Sequence, residues 1–166
     1  MEPLVRVNAV SAAKRLYTLN VTWDGGSKSV VDLTGLVYRS RHFRVFIDDP
    51  AAFRKVSVIN FGSGIGWGNG LDYAAETLKL LANEQKTMSG EYLVGFQDRH
   101  NLNTAETAGL LHVAERTLRA YRTAVELPAP IAISLRRMDS DPTVFAAHYR
   151  PIARRERGRP RKQPTI

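Results

Sequence analysis

Leu16-Tyr17-Thr18-Leu19-Asn20-Val21-Thr22-Trp23-Asp24-Gly25-Gly26-Ser27-Lys28-Ser29-Val30-Val31-Asp32-Leu33 reads as two strands around a turn. The first strand, residues 16–23, is rich in β-branched and aromatic side chains and alternates in the manner of a half-buried sheet. Asp24-Gly25-Gly26 brings two glycines that reach positive φ without steric cost, the requirement of a tight hairpin turn. Residues 29–33 return as the partner strand. A hairpin at this point commits the first half of the chain to antiparallel β structure.

Other elements extend outward from the hairpin. Val5, Val7 and Val10 form a short strand before it. Asp49-Pro50 is an N-cap and first-turn pair that opens a short helix through Phe53. Residues 55–61 form a further strand, and Gly62-Ser63-Gly64-Ile65-Gly66-Trp67-Gly68-Asn69-Gly70 turns into a last short strand around Trp67. Residues 73–83 form a helix with Leu78, Leu80 and Leu81 as its apolar side. These elements predict an α+β domain over residues 1–85. The glycines do not spell a dinucleotide fingerprint, because the sixth position is Trp67, Asn69 or Leu71 in the three registers. No Gly-Lys-Ser/Thr follows, so they read as a tight turn and strand bulge. His42, between Arg41 and Arg44, reads as a surface residue.

This half resembles a family of small bacterial proteins whose domain has no assigned function. The resemblance runs through residues 17–23, Val31-Asp32-Leu33, Asp49-Pro50, Phe53, Val56, Trp67, Asn69-Gly70, Asp72 and Glu76-Thr77-Leu78, and covers roughly residues 4–80. It implies a fold but no mechanism, and in some members a helix-turn-helix follows.

After Lys86 the periodicity becomes helical. Residues 89–99 form a helix facing a core with Leu93 and Phe96, and it stops at His100-Asn101, where Asn tolerates the left-handed conformation. Residues 102–122, Leu-Asn-Thr-Ala-Glu-Thr-Ala-Gly-Leu-Leu-His-Val-Ala-Glu-Arg-Thr-Leu-Arg-Ala-Tyr-Arg, resemble the helix-turn-helix of the phage-repressor-like superfamily. That resemblance places Ala108 where two helices approach, Leu111 and Val113 beside the turn, and Leu118 and Tyr121 under the second helix. Asn103 can cap the first helix. Three positions depart from the family: His112 stands where a turn glycine is usual, Thr104 where a glutamine opens the scanning helix, and Ala114 where a capping hydroxyl is usual. The second helix, residues 114–124, is the one implied to enter the major groove. Its outward residues are Glu115, Arg116, Arg119, Ala120 and Arg122. Arg116 and Arg119 share a face and can pair with guanine O6 and N7, while Glu115 can accept from cytosine N4. The alternative is a solvated basic face of a helical bundle. Residues 128–138, with Ile131, Ile133 and Leu135 available for packing, and residues 141–149, with Val144, Phe145 and His148, complete five helices. The expected fold class is therefore an α+β N-terminal domain followed by an all-α lambda-repressor-like helix-turn-helix domain, residues 86–149, and a disordered basic tail, residues 150–166.

Charge separates the last two parts. Residues 86–149 after Lys86 hold six arginines against seven acids, whereas residues 150–162 hold seven basic residues against one acid in a chain of net charge +8. Arg157-Gly158-Arg159-Pro160-Arg161-Lys162 resembles the core of an AT-hook, which lies in the minor groove of A·T-rich DNA. Gly158 lets the backbone approach the groove floor, Pro160 extends Arg159, and narrow A·T grooves attract inserted arginine. Arg154 and Arg155 add phosphate contacts. A basic tail without base preference is the alternative; either way the partner is a polyanion, with double-stranded DNA the leading expectation.

Absent residues narrow the function classes. There is no cysteine, and His42, His100, His112 and His148 are scattered, so neither a thiolate site nor a metal cluster is expected. No nucleophile and base pair or cofactor fingerprint appears, and the expectation is a non-enzyme without cofactor. No apolar stretch approaches the roughly 18 residues of a membrane span. The opening Met-Glu-Pro-Leu-Val-Arg lacks a secretion signal, so a cytoplasmic, nucleoid-associated place is expected. The sequence thus predicts a DNA-binding bacterial transcriptional regulator, a repressor in its simplest form. The alternative is an antitoxin-like interaction protein with autoregulatory DNA binding, whose protein partner uses residues 1–85. A homodimer is left open.

Overall fold

The turn after Trp23 closes because Gly25 and Gly26 take φ of +86° and +83°. In the computed structural model, which describes residues 4–152, it joins strands β2 (Thr18–Trp23) and β3 (Lys28–Asp32). Strand β1 (Val7–Ala12) pairs along the other side of β2, and both pairings are antiparallel. Leu19 lies opposite Val31 and Val10 opposite Val21. Leu19, Val21, Trp23 and Val31 are buried, while Asn20 and Val30 are exposed. The alternation read from the sequence is thus realised with one face toward a core.

Between the hairpin and the second sheet lie three short helices, α1 (Thr34–Arg39), α2 (Val45–Asp48) and α3 (Pro50–Phe53). The third begins as predicted: Asp49 Oδ1 accepts from Ala52 N at 3.1 Å and Pro50 stands in the first turn. The second sheet is antiparallel, in the order β4 (Ser57–Ile59), β5 (Gly64–Gly66), β6 (Asp72–Ala74). It differs in detail from expectation. The strand expected over 55–61 stops at Ile59, because Asn60 and Phe61 turn left-handed (φ 47° and 54°). Gly62 then passes so close to β1 that a Cβ would sit 2.6 Å from the Val7 carbonyl oxygen. Trp67 follows β5 instead of lying in it, and Tyr73 is a strand residue. Helix α4 therefore runs Ala75–Glu84, burying Ala75, Leu78 and Ala82 but leaving Leu80 66% exposed.

The first core is aromatic. Phe43, Phe46, Phe53 and Trp67 meet with ring centroids 5.2–6.0 Å apart in tilted and edge-to-face pairs. Both polar handles are satisfied inside it: Tyr17 OH donates to Phe46 O and Trp67 Nε1 to Phe53 O, each at 2.9 Å. Glycine in the 62–70 stretch serves packing. At Gly64 a Cβ would lie 3.0 Å from Tyr73 O on the neighbouring strand.

The fold class expected from the sequence is corrected by these elements. Taken as one chain, the protein is α+β, with two small three-stranded antiparallel sheets and nine α-helices among the described residues. It is not an α+β domain followed by a separate all-α repressor-like domain. Helix is not confined to the later residues, since α1–α4 lie before residue 86. Three of those four are so short that no 3.6-residue repeat marks them in the sequence. Residues 150–152 are placed, and residues 153–166, which complete the expected tail, lie outside the described residues.

By internal contacts the chain divides into Met1–Lys86 and Thr87–Ile166. The second unit contains α5 (Gly90–Arg99), α6 (Thr104–Leu110), α7 (Glu115–Tyr121), α8 (Ala129–Ser140) and α9 (Pro142–His148). Leu93, Phe96, Leu118 and Leu135 are fully buried at its centre, with Ala108, Leu111, Leu127 and Met138 around them. Asn101 takes the left-handed conformation (φ 50°) just past α5, as its position predicts. Ile133, expected to pack, is instead 57% exposed.

Candidate nucleic-acid interface

Asn103 sets the start of the first helix of the site. Its Oδ1 accepts from Glu106 N while Glu106 Oε2 accepts from Asn103 N, both at 2.9 Å, a reciprocal capping box on α6. Helix α6 ends at Leu110, and the chain reverses through Leu111 and His112. His112 occupies the left-handed region at φ 54°, the position where the resemblance put a glycine. Val113 N donates back to Ala108 O at 2.9 Å, and Ala114 stands at the N-cap of α7 with no side-chain cap. Ala108 and Leu118 are buried between the helices. At Gly90 a Cβ would lie 2.3 Å from Tyr121 O, so α5 approaches the end of α7 to backbone distance.

The outer faces of α6 and α7 border an open groove lined in part by Thr104, Gly109, Glu115, Arg119, Arg122 and Ile152. Four expected site residues thus come together: Thr104, Glu115, Arg119 and Arg122. Arg116 is exposed on α7 but does not line the groove. Arg119 Nη2 forms an i,i+4 ion pair with Glu115 Oε2 at 3.0 Å, both side chains largely in solvent. Helix α7 is also shorter than the 114–124 expected, so Arg122 is its C-cap. Arg154, Arg155, Arg157, Gly158, Arg159, Pro160, Arg161 and Lys162 lie outside the described residues.

Two networks behind the groove have no counterpart in the sequence reading. In the first, Glu106 is buried and Tyr149 OH donates to its Oε1 at 2.8 Å, which raises the pKa of the tyrosine. Ile152 N approaches the same oxygen at 3.4 Å, and Asn103 Nδ2 donates to Ile152 O at 3.0 Å. The spacing Asn103-x-x-Glu106 carries the capping signal, but nothing local announces partners more than forty residues away. In the second, Asp139 receives Tyr92 OH, Arg99 Nη2 and His100 Nε2. Burial alone would raise the Asp139 pKa; the three hydrogen bonds outweigh it and hold the carboxyl below its ordinary value. The two networks are joined by stacked rings, His100 on Phe145 at 4.4 Å and Phe145 on Tyr149 at 5.4 Å.

Among the described residues, no three His, Cys, Asp or Glu side chains group as metal ligands, and no helix is long and apolar enough to cross a membrane.

No protein-family profile matches the chain, and no curated protein matches it. Among solved structures it is similar to a proposed DNA-binding protein of Nitrosomonas europaea, at 23% identity and a TM-score of 0.45, over 99% of this chain and 100% of that one. A likeness of that degree assigns neither function nor partner.

Proposed function

We propose that this protein binds double-stranded DNA and acts as a transcriptional regulator, with α6 and α7 working as a helix-turn-helix. One observation carries the reading: α7 and its C-cap expose three arginines, and two of them, Arg119 and Arg122, line a groove that is also lined by Ile152, near the start of the most basic stretch of the chain. In this reading α7 enters the major groove. Arg116 and Arg119 pair with guanine O6 and N7, and Glu115 either accepts from cytosine N4 or holds the Arg119 guanidinium in place. Thr104 and Arg122 contact phosphate. Arg154, Arg155, Arg161 and Lys162 add phosphate contacts, while Arg157, Gly158, Arg159 and Pro160 occupy an adjacent A·T-rich minor groove. The acids of the helical unit leave it poor in long-range attraction, so the basic segment supplies most of the salt-dependent affinity.

Selection of bound sequences from a random duplex pool tests the proposal. The expected result is an enriched site with G·C positions flanked by an A·T run. A palindromic site would add a homodimer to the reading, since two-fold operators mirror two-fold proteins. A pool that stays random after repeated rounds, with no salt-dependent retention, removes DNA as the partner.

A second reading is favoured by a different observation. Phe61 is 96% exposed on a left-handed turn beside Gly62, which lies against β1, and loss of that exposure on complex formation would favour a protein partner. An antitoxin-like role for residues 1–85 would then accompany DNA binding.

A further inference from the structure

Glu106 does more than cap α6. Its two carboxylate oxygens face different parts of the chain: Oε2 closes the capping box on Asn103 N, and Oε1 takes the Tyr149 hydroxyl and lies near Ile152 N. Asn103, already used through Oδ1 as the cap, directs its amide nitrogen to Ile152 O. The Ile152 side chain completes the contact: a Cβ built at Gly109 would stand 3.4 Å from Ile152 Cδ1. The chain between Tyr149 and Ile152 is thus fastened to the first turn of α6 at both ends. Ile152 lines the same groove as Thr104, Glu115, Arg119 and Arg122. Helix capping needs none of these later contacts. In the sequence Arg154 and Arg155 follow Ile152 by two and three residues and Arg159 by seven.

We infer that Asn103, Glu106 and Tyr149 form a clasp that positions the basic segment for DNA recognition, starting it beside α7 so that both engage one duplex. The inference rests on the DNA-binding reading above. Its physical content is effective concentration. A segment anchored at the groove edge meets the adjoining phosphates and minor groove as an intramolecular event, and loosening the anchor dilutes it. Tyr149, Asn103 and Glu106 are positioning residues in this scheme and touch no DNA.

The test is a double-mutant cycle on the full chain, read by fluorescence anisotropy with the selected duplex. Tyr149→Phe keeps the ring stack and removes the hydroxyl. Asn103→Ser keeps an N-cap and removes the donor to Ile152. Each is made in the native chain and in one whose tail is neutralised by Arg154→Gln, Arg155→Gln, Arg157→Gln and Arg159→Gln. With the native tail, each clasp variant should weaken binding about two- to tenfold, the worth of one hydrogen bond. With the neutral tail, the same variants should change affinity less than about twofold, because nothing is left to position. Equal losses in both backgrounds, or no loss in either while thermal melts stay unchanged, would overturn the clasp alone. A wild-type chain that binds no duplex overturns the DNA reading and this inference with it.

Discussion

At residue 112 the chain turns left-handed with a histidine, φ 54°. For a residue with a Cβ that conformation costs roughly 1–2 kcal/mol, and the His112 side chain is exposed. His112→Gly is therefore expected to stabilise the protein by up to about 1 kcal/mol, less than the full strain because glycine also frees the unfolded chain. A thermal melt that falls with this substitution would mean the imidazole makes a contact worth more than the strain. Asp139 carries a pH-dependent share of stability. Its folded pKa is held below the ordinary carboxylate value near 4, so its contribution is present above that value. The contribution disappears as pH falls through the lower, folded one. Asp139→Asn should cost about 2 kcal/mol at neutral pH, the worth of one charged acceptor. It should also flatten, without abolishing, the decline of melting temperature below about pH 4, because Asp32 and Asp141 are lowered as well. A parallel acid limb in wild type and variant would remove Asp139 from that role.

At the scale of elements, the approach of α5 to the end of α7 rests on one missing atom. Any Cβ at Gly90 meets the Tyr121 carbonyl and the Arg122 backbone, at 2.3 and 2.6 Å, and neither can rotate away. Gly90→Ala should destabilise by about 3 kcal/mol or more, at the upper end of overpacking effects, seen as an earlier urea midpoint by far-ultraviolet circular dichroism. An unchanged midpoint would show that the helices separate freely. Helix α7 itself makes the functional prediction. Replacing Arg116 or Arg119 by Ala should lower the preference for the selected site over random duplex by about five- to a hundredfold, the range of one bidentate base contact. Because Arg119 shares its charge with Glu115, Glu115→Ala should strengthen binding to random duplex while relaxing selectivity. If both arginine variants keep full selectivity with intact folds, α7 is not a reading helix.

For the whole molecule, charge is distributed unevenly, and the proposed function takes affinity and selectivity from different places. The helical unit before residue 150 is nearly neutral, and seven of the basic residues are gathered in 150–162. Neutralising Arg154, Arg155, Arg157 and Arg159 should reduce the slope of log affinity against log salt by about 0.9 for each phosphate that is no longer neutralised. The preference among sequences read by α7 should persist. A salt titration with an unchanged slope would show that this segment touches no phosphate.

Local chemistry was sufficient where an element declares itself within a few residues. The Gly25-Gly26 hairpin, the Asp49-Pro50 helix start, the Asn103 cap and the left-handed Asn101 could all be read from neighbouring residues alone, because each depends on φ preferences or on a side chain reaching its own backbone. The four-residue helices α2 and α3 fell partly below that horizon: with a single turn there is no repeat to detect, and only the second had a cap to betray it. Phe61 looked like strand and Leu80 like core because hydrophobicity alone does not say which face a tertiary neighbour covers. Tertiary structure alone decided the fold class, the meeting of Tyr92, Arg99 and His100 on Asp139, and the fastening of Tyr149 and Ile152 to Glu106. Those contacts join residues about forty positions or more apart, and their geometry exists only after the helices have packed.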